Sequence, residues 1–170
     1  MTKARPIRGW IAPPLLSLAL LLCVVPALSQ ENESGAADPL SESLVPNPGL
    51  SPGDVIRIQL EALRNNDGQD RGIAVAFRFA SPANRANTGP LSRFIAMIEH
   101  GPYALMLDFH HADYGLVETA SDQARQRVTL TGARASITYW FYLSRQSEAP
   151  YVDCWMTDAV YIERPAEQVT

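Results

Sequence analysis

Cysteine, histidine and basic charge are all scarce in this chain, and each scarcity excludes something. There are 2 cysteines and 3 histidines in 170 residues. Cys23 lies inside an N-terminal apolar segment, which leaves Cys154 alone in the rest of the chain and rules out an intrachain disulfide there. Cys154 stands in the apolar run YVDCWM with no basic residue beside it, so a buried, inert thiol is expected. The histidines are His100 and the adjacent pair His110-His111. Neighbours on a strand point to opposite faces, so the pair cannot readily ligate one metal, and no metal site or cofactor is expected. The chain has no phosphate-binding loop, dinucleotide fingerprint, Ser-His-Asp signature, internal repeat or long low-complexity tract.

Residues 1–29 read as a secretory signal peptide. Lys3, Arg5 and Arg8 form a positive start, Leu15 to Val25 is an unbroken apolar run, and Ala27 and Ser29 supply small-x-small spacing. Cleavage is expected between Ser29 and Gln30, giving a periplasmic or secreted protein. The alternative is an uncleaved membrane anchor, since Trp10 to Ser29 approaches a spanning length, but Pro13 and Pro14 would break a helix there. Leu22 before Cys23 does not suit a lipoprotein box. The three basic residues leave with this segment. The remaining 11 Lys and Arg face 18 Asp and Glu, a formal charge of −7 against −4 for the whole chain. An acidic surface repels phosphate backbones, so nucleic acid is not an expected partner.

Residues 30–50 are rich in Glu, Asn, Ser and Pro and read as a disordered linker, too polar to offset its ordering entropy. The folded domain is expected over 51–165, with a tail at 166–170. Ser51, Pro52 and Asp54 are an N-cap, a first-turn proline and a dipole-matched carboxylate. Val55, Ile56, Gln59, Leu60 and Leu63 then recur at helical spacing until Asn65-Asn66-Asp67-Gly68 ends the helix. A second helix is expected from Gln69 to Phe79, burying Ile73, Ala74, Phe77 and Ala80 and ending at Ser81-Pro82. Ala83 to Gly89 reads as a loop, and Pro90 to His100 as a third helix closed by Gly101-Pro102.

After Leu105 the period becomes two. Strands are expected at 107–119, with a bulge near Asp113-Tyr114-Gly115, and at 124–131, 135–145 and 151–162. The fold class is therefore α+β, with N-terminal helices packed on an antiparallel sheet. Both faces of 135–145 carry large side chains. Trp140 and Tyr142 either meet a partner, such as a second copy of the chain, or lie half-exposed with their polar tips in water.

Several segments resemble one known family. Gln59-Leu60-Glu61-Ala62-Leu63, Asn66-Asp67, Ala76-Phe77 and Ala80-Ser81-Pro82 are similar to the opening of the domain of unknown function 4864 family. Phe94, Met97-Ile98 and Tyr103 resemble its next helix and tyrosine-bearing turn. RVTLTG, YWFYLSRQ and YVDCW resemble its closing hairpins, although relatives tend to show Trp-x-Ile-x-Gly where this chain has Tyr151-Val152-Asp153-Cys154. The resemblance implies a cystatin-like cone of the nuclear-transport-factor-2-like superfamily, with helices in the hollow of a curved sheet and a pocket at the open end. It implies no particular reaction.

Acid–base chemistry in such a pocket needs a carboxylate or histidine in an unusual environment. Asp108, His110, Asp113, Asp153 and Asp158 are available. Asp153, which the strand pattern flanks with Val152 and Cys154, stands out, and His110 and Asp113 are the other catalytic candidates. Tyr103, Trp140 and Tyr142 are the binding candidates. Two functions remain open: a non-catalytic module for a small apolar ligand or a protein, and a small lyase or isomerase using a carboxylate and a histidine. An enzyme would bring Asp153 or Asp113 to His110 inside a closed apolar cavity.

Overall fold

Ser51 begins the first helix, α1 (Pro52–Arg64), through a reciprocal capping box. Its hydroxyl accepts from the Asp54 N–H, and the Asp54 carboxylate accepts from the Ser51 N–H at 2.9 Å. The Ser51 hydroxyl also donates to the Asp54 carboxylate at 2.6 Å, and that bond, followed by the one from the Ser51 N–H, holds the Asp54 carboxyl below its ordinary range. The computed structural model describes residues 39–163. The expected signal peptide, its cleavage site, the start of the linker and the tail lie outside the described residues. Among those described, no helix is long and apolar enough to cross a membrane.

Three more helices follow: α2 (Arg71–Arg78), α3 (Pro82–Thr88) and α4 (Leu91–His100). A short 3-10 turn, Ala104–Leu107, leads into the strands β1 (Phe109–Ala120), β2 (Gln123–Gly132), β3 (Ser136–Arg145) and β4 (Trp155–Ile162). The strands form an open antiparallel sheet in the order β1-β2-β3-β4. The expected α+β class is the observed one: the helices pack on one face of this sheet.

Alternation on the two central strands decides which face is buried. Val128 and Leu130 of β2 and Tyr139, Phe141 and Leu143 of β3 turn inward onto α1, and all are buried. Val55, Ile56, Leu60 and Leu63 meet them, with Ile73, Val75 and Phe79 from α2 and the residue after it. Each such aliphatic or aromatic side chain contributes about 1.5–3 kcal/mol by burial. Arg127, Trp140 and Tyr142 alternate to the other face, which carries no helix.

Four differences from the sequence reading have physical causes. Residues 82–88 are not a loop: the Ser81 hydroxyl accepts from the Asn84 N–H at 3.1 Å, and Pro82 takes the first turn, so α3 forms. The buried stripe of α2 is Ile73, Val75 and Ala76, continued by Phe79 and Ala80, because α2 docks on both α1 and α4. Phe77 is half-buried at the edge against Phe94, with ring centroids 5.2 Å apart. The last strand begins at Trp155, since 151–154 is a turn in which the Cys154 N–H donates to the Tyr151 carbonyl. Finally, residues 39–50 lie against the domain. Arg78 Nη1 donates to the Leu44 carbonyl at 2.7 Å, and Leu44 and Leu50 pack on the core. Composition alone does not register one arginine collecting several carbonyls.

Gly72 sets how closely α2 approaches α1. A Cβ there would run into the Ala62 carbonyl oxygen and crowd the Asn66 Cα at 2.8 Å. We expect Gly72→Ala to cost about 1–3 kcal/mol in urea unfolding, towards the upper end because the obstacle is backbone. A loss below about 0.5 kcal/mol, the range of neutral surface changes, would contradict this packing.

Candidate functional site

A cleft of about 250 Å³ opens between the helices and β4. Its walls are apolar: Leu63 from α1, Phe94, Met97 and Ile98 from α4, Phe141 from β3 and Val160 from β4. Two buried polar side chains lie deepest, Gln59 and Thr157. Asn84 and Thr88, both half-buried, and exposed Asn87 bring α3 to the mouth. Tyr103, Asp158 and Tyr161 complete it from the other side.

The deep polar groups are already engaged. Gln59 is the one polar residue in the apolar stripe of α1. Its Nε2 donates to the Ala76 carbonyl at 2.9 Å, and its Oε1 accepts from the Thr157 hydroxyl at 2.6 Å. The Thr157 N–H donates to the Phe79 carbonyl at 3.0 Å. The Thr157 carbonyl accepts from the Ser81 N–H at 2.9 Å and from Asn84 Nδ2 at 3.0 Å. This cross-link fastens the edge of β4 to α1, to the end of α2 and to α3, and leaves little for a ligand at the bottom of the cleft.

The mouth is different. Tyr103 donates to the Val160 carbonyl at 3.0 Å and stacks on Tyr139, with centroids 6.1 Å apart. Burial, followed by the neighbouring Tyr161, pushes the Tyr103 hydroxyl above its ordinary pKa. Asp158 occupies a β-bulge: Leu143 pairs with Thr157 and Tyr142 with Ala159, so nothing stands opposite Asp158. It is half-buried and lines the cleft.

The catalytic candidates do not gather there. Asp153 is not within a strand. It sits exposed in the turn before β4 with φ 63°, its N–H donating to the Gln146 carbonyl at 2.8 Å. Asp113 is exposed in β1, opposite Thr129 and at the far edge of the sheet from β4. His110 is exposed at the irregular start of β1, and His111 and His100 are exposed as well. No histidine is among the cleft's lining residues, and Asp108 is exposed. Among the described residues, no three His, Cys, Asp or Glu side chains come together as metal ligands. Cys154 is buried, and burial, with Asp153 beside it, raises its thiol pKa.

Of the binding candidates, Tyr103 lies in the cleft, and Trp140 and Tyr142 lie on the outer sheet face. Trp140 Nε1 donates to Glu163 Oε1 at 3.1 Å, and Arg125 sits 5.1 Å from the Trp140 ring centroid. Tyr142 meets Tyr161 edge-on at 5.7 Å. Ion pairs Arg125–Glu118 and Arg127–Glu163, each 2.6 Å, complete this face. A second, shallower hollow of about 460 Å³ lies at the β1–β2 hairpin end, lined mostly by exposed residues around that first pair. The polar base of the cleft was the part that residue-type reasoning missed. Its signal was Gln59 at a core position of α1.

The fold and cleft belong to a small α+β domain with its helices on one sheet face. Residues 52–170 match the family model described as Domain of unknown function (DUF4864), and the chain belongs to that family. No curated protein and no solved structure matches the chain.

Tyr139, behind Tyr103, is fully buried and donates to the Pro102 carbonyl at 3.2 Å. Burial, and then Tyr103, push its pKa from 10.0 up to about 12. The raised folded value means its stabilising contribution is complete below pH 10 and is lost as pH climbs toward 12. In alkaline titration, tyrosinate absorbance should show a late-ionising fraction whose last member, Tyr139, appears together with loss of near-ultraviolet circular dichroism. In Tyr139→Phe the stability lost across that window should be smaller. Ionisation of every tyrosine near pH 10 with the fold intact would contradict the burial.

Proposed function

We propose that this chain is an exported, non-catalytic binding domain that holds a small, mostly apolar ligand in the cleft between its helices and β4. The reading is carried by one observation: an apolar-walled cleft whose deep polar groups are already hydrogen-bonded, and whose lining polar side chains without a bond among the described residues, Asn87 and Asp158, sit at the mouth. Such a site favours a ligand that enters apolar end first and is oriented by a few contacts near the opening. At about 250 Å³ the cleft suits a ligand at the small end of the usual range. Helices on one face of an open antiparallel sheet, with the cleft at one end, agree with a cone of the nuclear-transport-factor-2-like kind. Export rests on the Lys3, Arg5, Arg8 start and the Leu15–Val25 run.

A lyase or isomerase reading would need a histidine beside a carboxylate in the cleft, and the three histidines are elsewhere and exposed. The outer face, with Trp140, Tyr142 and Tyr161, is the alternative surface, for a protein or a second copy of the chain. Its ion pairs are already mutually satisfied, so the cleft is the stronger choice.

The test is fluorescence titration with the neutral probe N-phenyl-1-naphthylamine. Saturable, blue-shifted binding is expected. Thr88→Trp, at the half-buried mouth, should weaken it at least tenfold, about 1.4 kcal/mol, without lowering the melting temperature. Absence of saturable binding, or equal binding by the variant, would count against the cleft.

A further inference from the structure

Among the described residues, the lining of the cleft carries one charged side chain, Asp158, with no arginine or histidine beside it in that lining. Among the described residues its carboxylate makes no hydrogen bond or ion pair. The nearby arginine of α3, Arg85, is turned to Tyr151, donating to its hydroxyl at 3.2 Å and lying 5.3 Å from its ring centroid. Of the other carboxylates on or beside the sheet, Glu118 and Glu163 are each held by an arginine, and Asp113, exposed on β1, lies away from the cleft.

The position of Asp158 follows from the bulge. In a regular ladder, the residue after inward-facing Thr157 would point to the outer face beside Tyr142. The extra residue instead leaves Asp158 unpaired and among the cleft's lining, while Ala159 takes the place opposite Tyr142. Bulges redirect single side chains in this way. The half-buried carboxylate also sits where solvent screening is reduced, which strengthens its attraction for a cation. Tyr103 lines the same cleft, and aromatic faces attract cations as well.

We infer that the ligand is a cationic amphiphile: an apolar body in the cleft with a protonated amine, or a similar cationic head, against Asp158. The inference rests on the cleft being the binding site. It adds the sign of the head group, which the apolar walls alone do not specify.

Three ligands of one chain length and different heads test it: octylammonium, octanol and octanoate, each titrated calorimetrically and by displacement of N-phenyl-1-naphthylamine. On the wild-type protein octylammonium should bind about tenfold more tightly than octanol, and octanoate most weakly. In Asp158→Asn the ammonium-to-alcohol ratio should fall to within about twofold, and in Asp158→Glu the preference should persist. Equal binding of all three heads by the wild type would overturn the inference and leave the cleft reading standing. So would an ammonium preference that survives in Asp158→Asn. Failure of octanol, octylammonium and the naphthylamine alike to bind would overturn both readings. The wild-type series is decisive even if a substitution at the bulge proves unstable.

Discussion

Thr157 is the residue on which the arrangement turns. Its hydroxyl, N–H and carbonyl reach, respectively, Gln59 of α1, the Phe79 carbonyl at the end of α2, and both the Ser81 N–H and the Asn84 amide at the start of α3. It is 1% exposed, so none of these partners can be replaced by water without opening the core. An edge strand ordinarily leaves a row of backbone groups unpaired. Here the Phe79–Ser81 segment takes up part of that row, with Ala80 bridged to Thr157 in parallel. The bond that closes the edge of the sheet therefore also fixes the base of the cleft.

Two unlike sheet faces follow. The inner face is filled by Val128, Leu130, Tyr139, Phe141 and Leu143 against α1 and α2. The outer face has aromatic residues dressed by exposed ion pairs, which contribute little to stability. The cleft forms at the β4 side of the inner face, where α3 and α4 approach the strand without filling the space between. Chemical asymmetry in the cleft has the same origin. The groups that hold the fold together face its depth and are satisfied, and Asp158, at the bulge, has no hydrogen bond or ion pair among the described residues.

The parts of the fold that were legible in sequence are those governed by a single period. Strict alternation on β2 and β3 sorts Val128 with Leu130, and Tyr139 with Phe141 and Leu143, onto single faces, and the structure shows that these are the buried ones. The Ser51-Pro52 signal was read as a helix start and is one. Ser81-Pro82 carries the same chemistry, but directly after a helix it reads equally well as a stop, which hides α3 from the pattern. The stripe of α2 was misplaced because that helix is wedged between two others, and its burial is wider than one stripe. The last strand resisted pattern reading because its bulge changes the parity between Thr157 and Ala159. At the site, residue type alone points to Asp153, Asp113 and His110, and nothing in sequence spacing shows that an acid of β4 sits at a bulge beside a cleft. Gln59 was visible as a polar residue in an apolar stripe, but its partner lies 98 residues away and no local pattern points to it.

The most direct test is a double-mutant cycle in urea between Gln59→Met and Thr157→Val. Thr157→Val alone strips the donor from the buried Gln59 oxygen and should cost about 1–3 kcal/mol, the penalty of an unsatisfied buried acceptor. The double variant replaces both partners with apolar groups and should be more stable than the sum of the single losses predicts, by at least about 1 kcal/mol. Losses that add to within about 0.5 kcal/mol would show that the two side chains do not act as one unit, and would contradict the account.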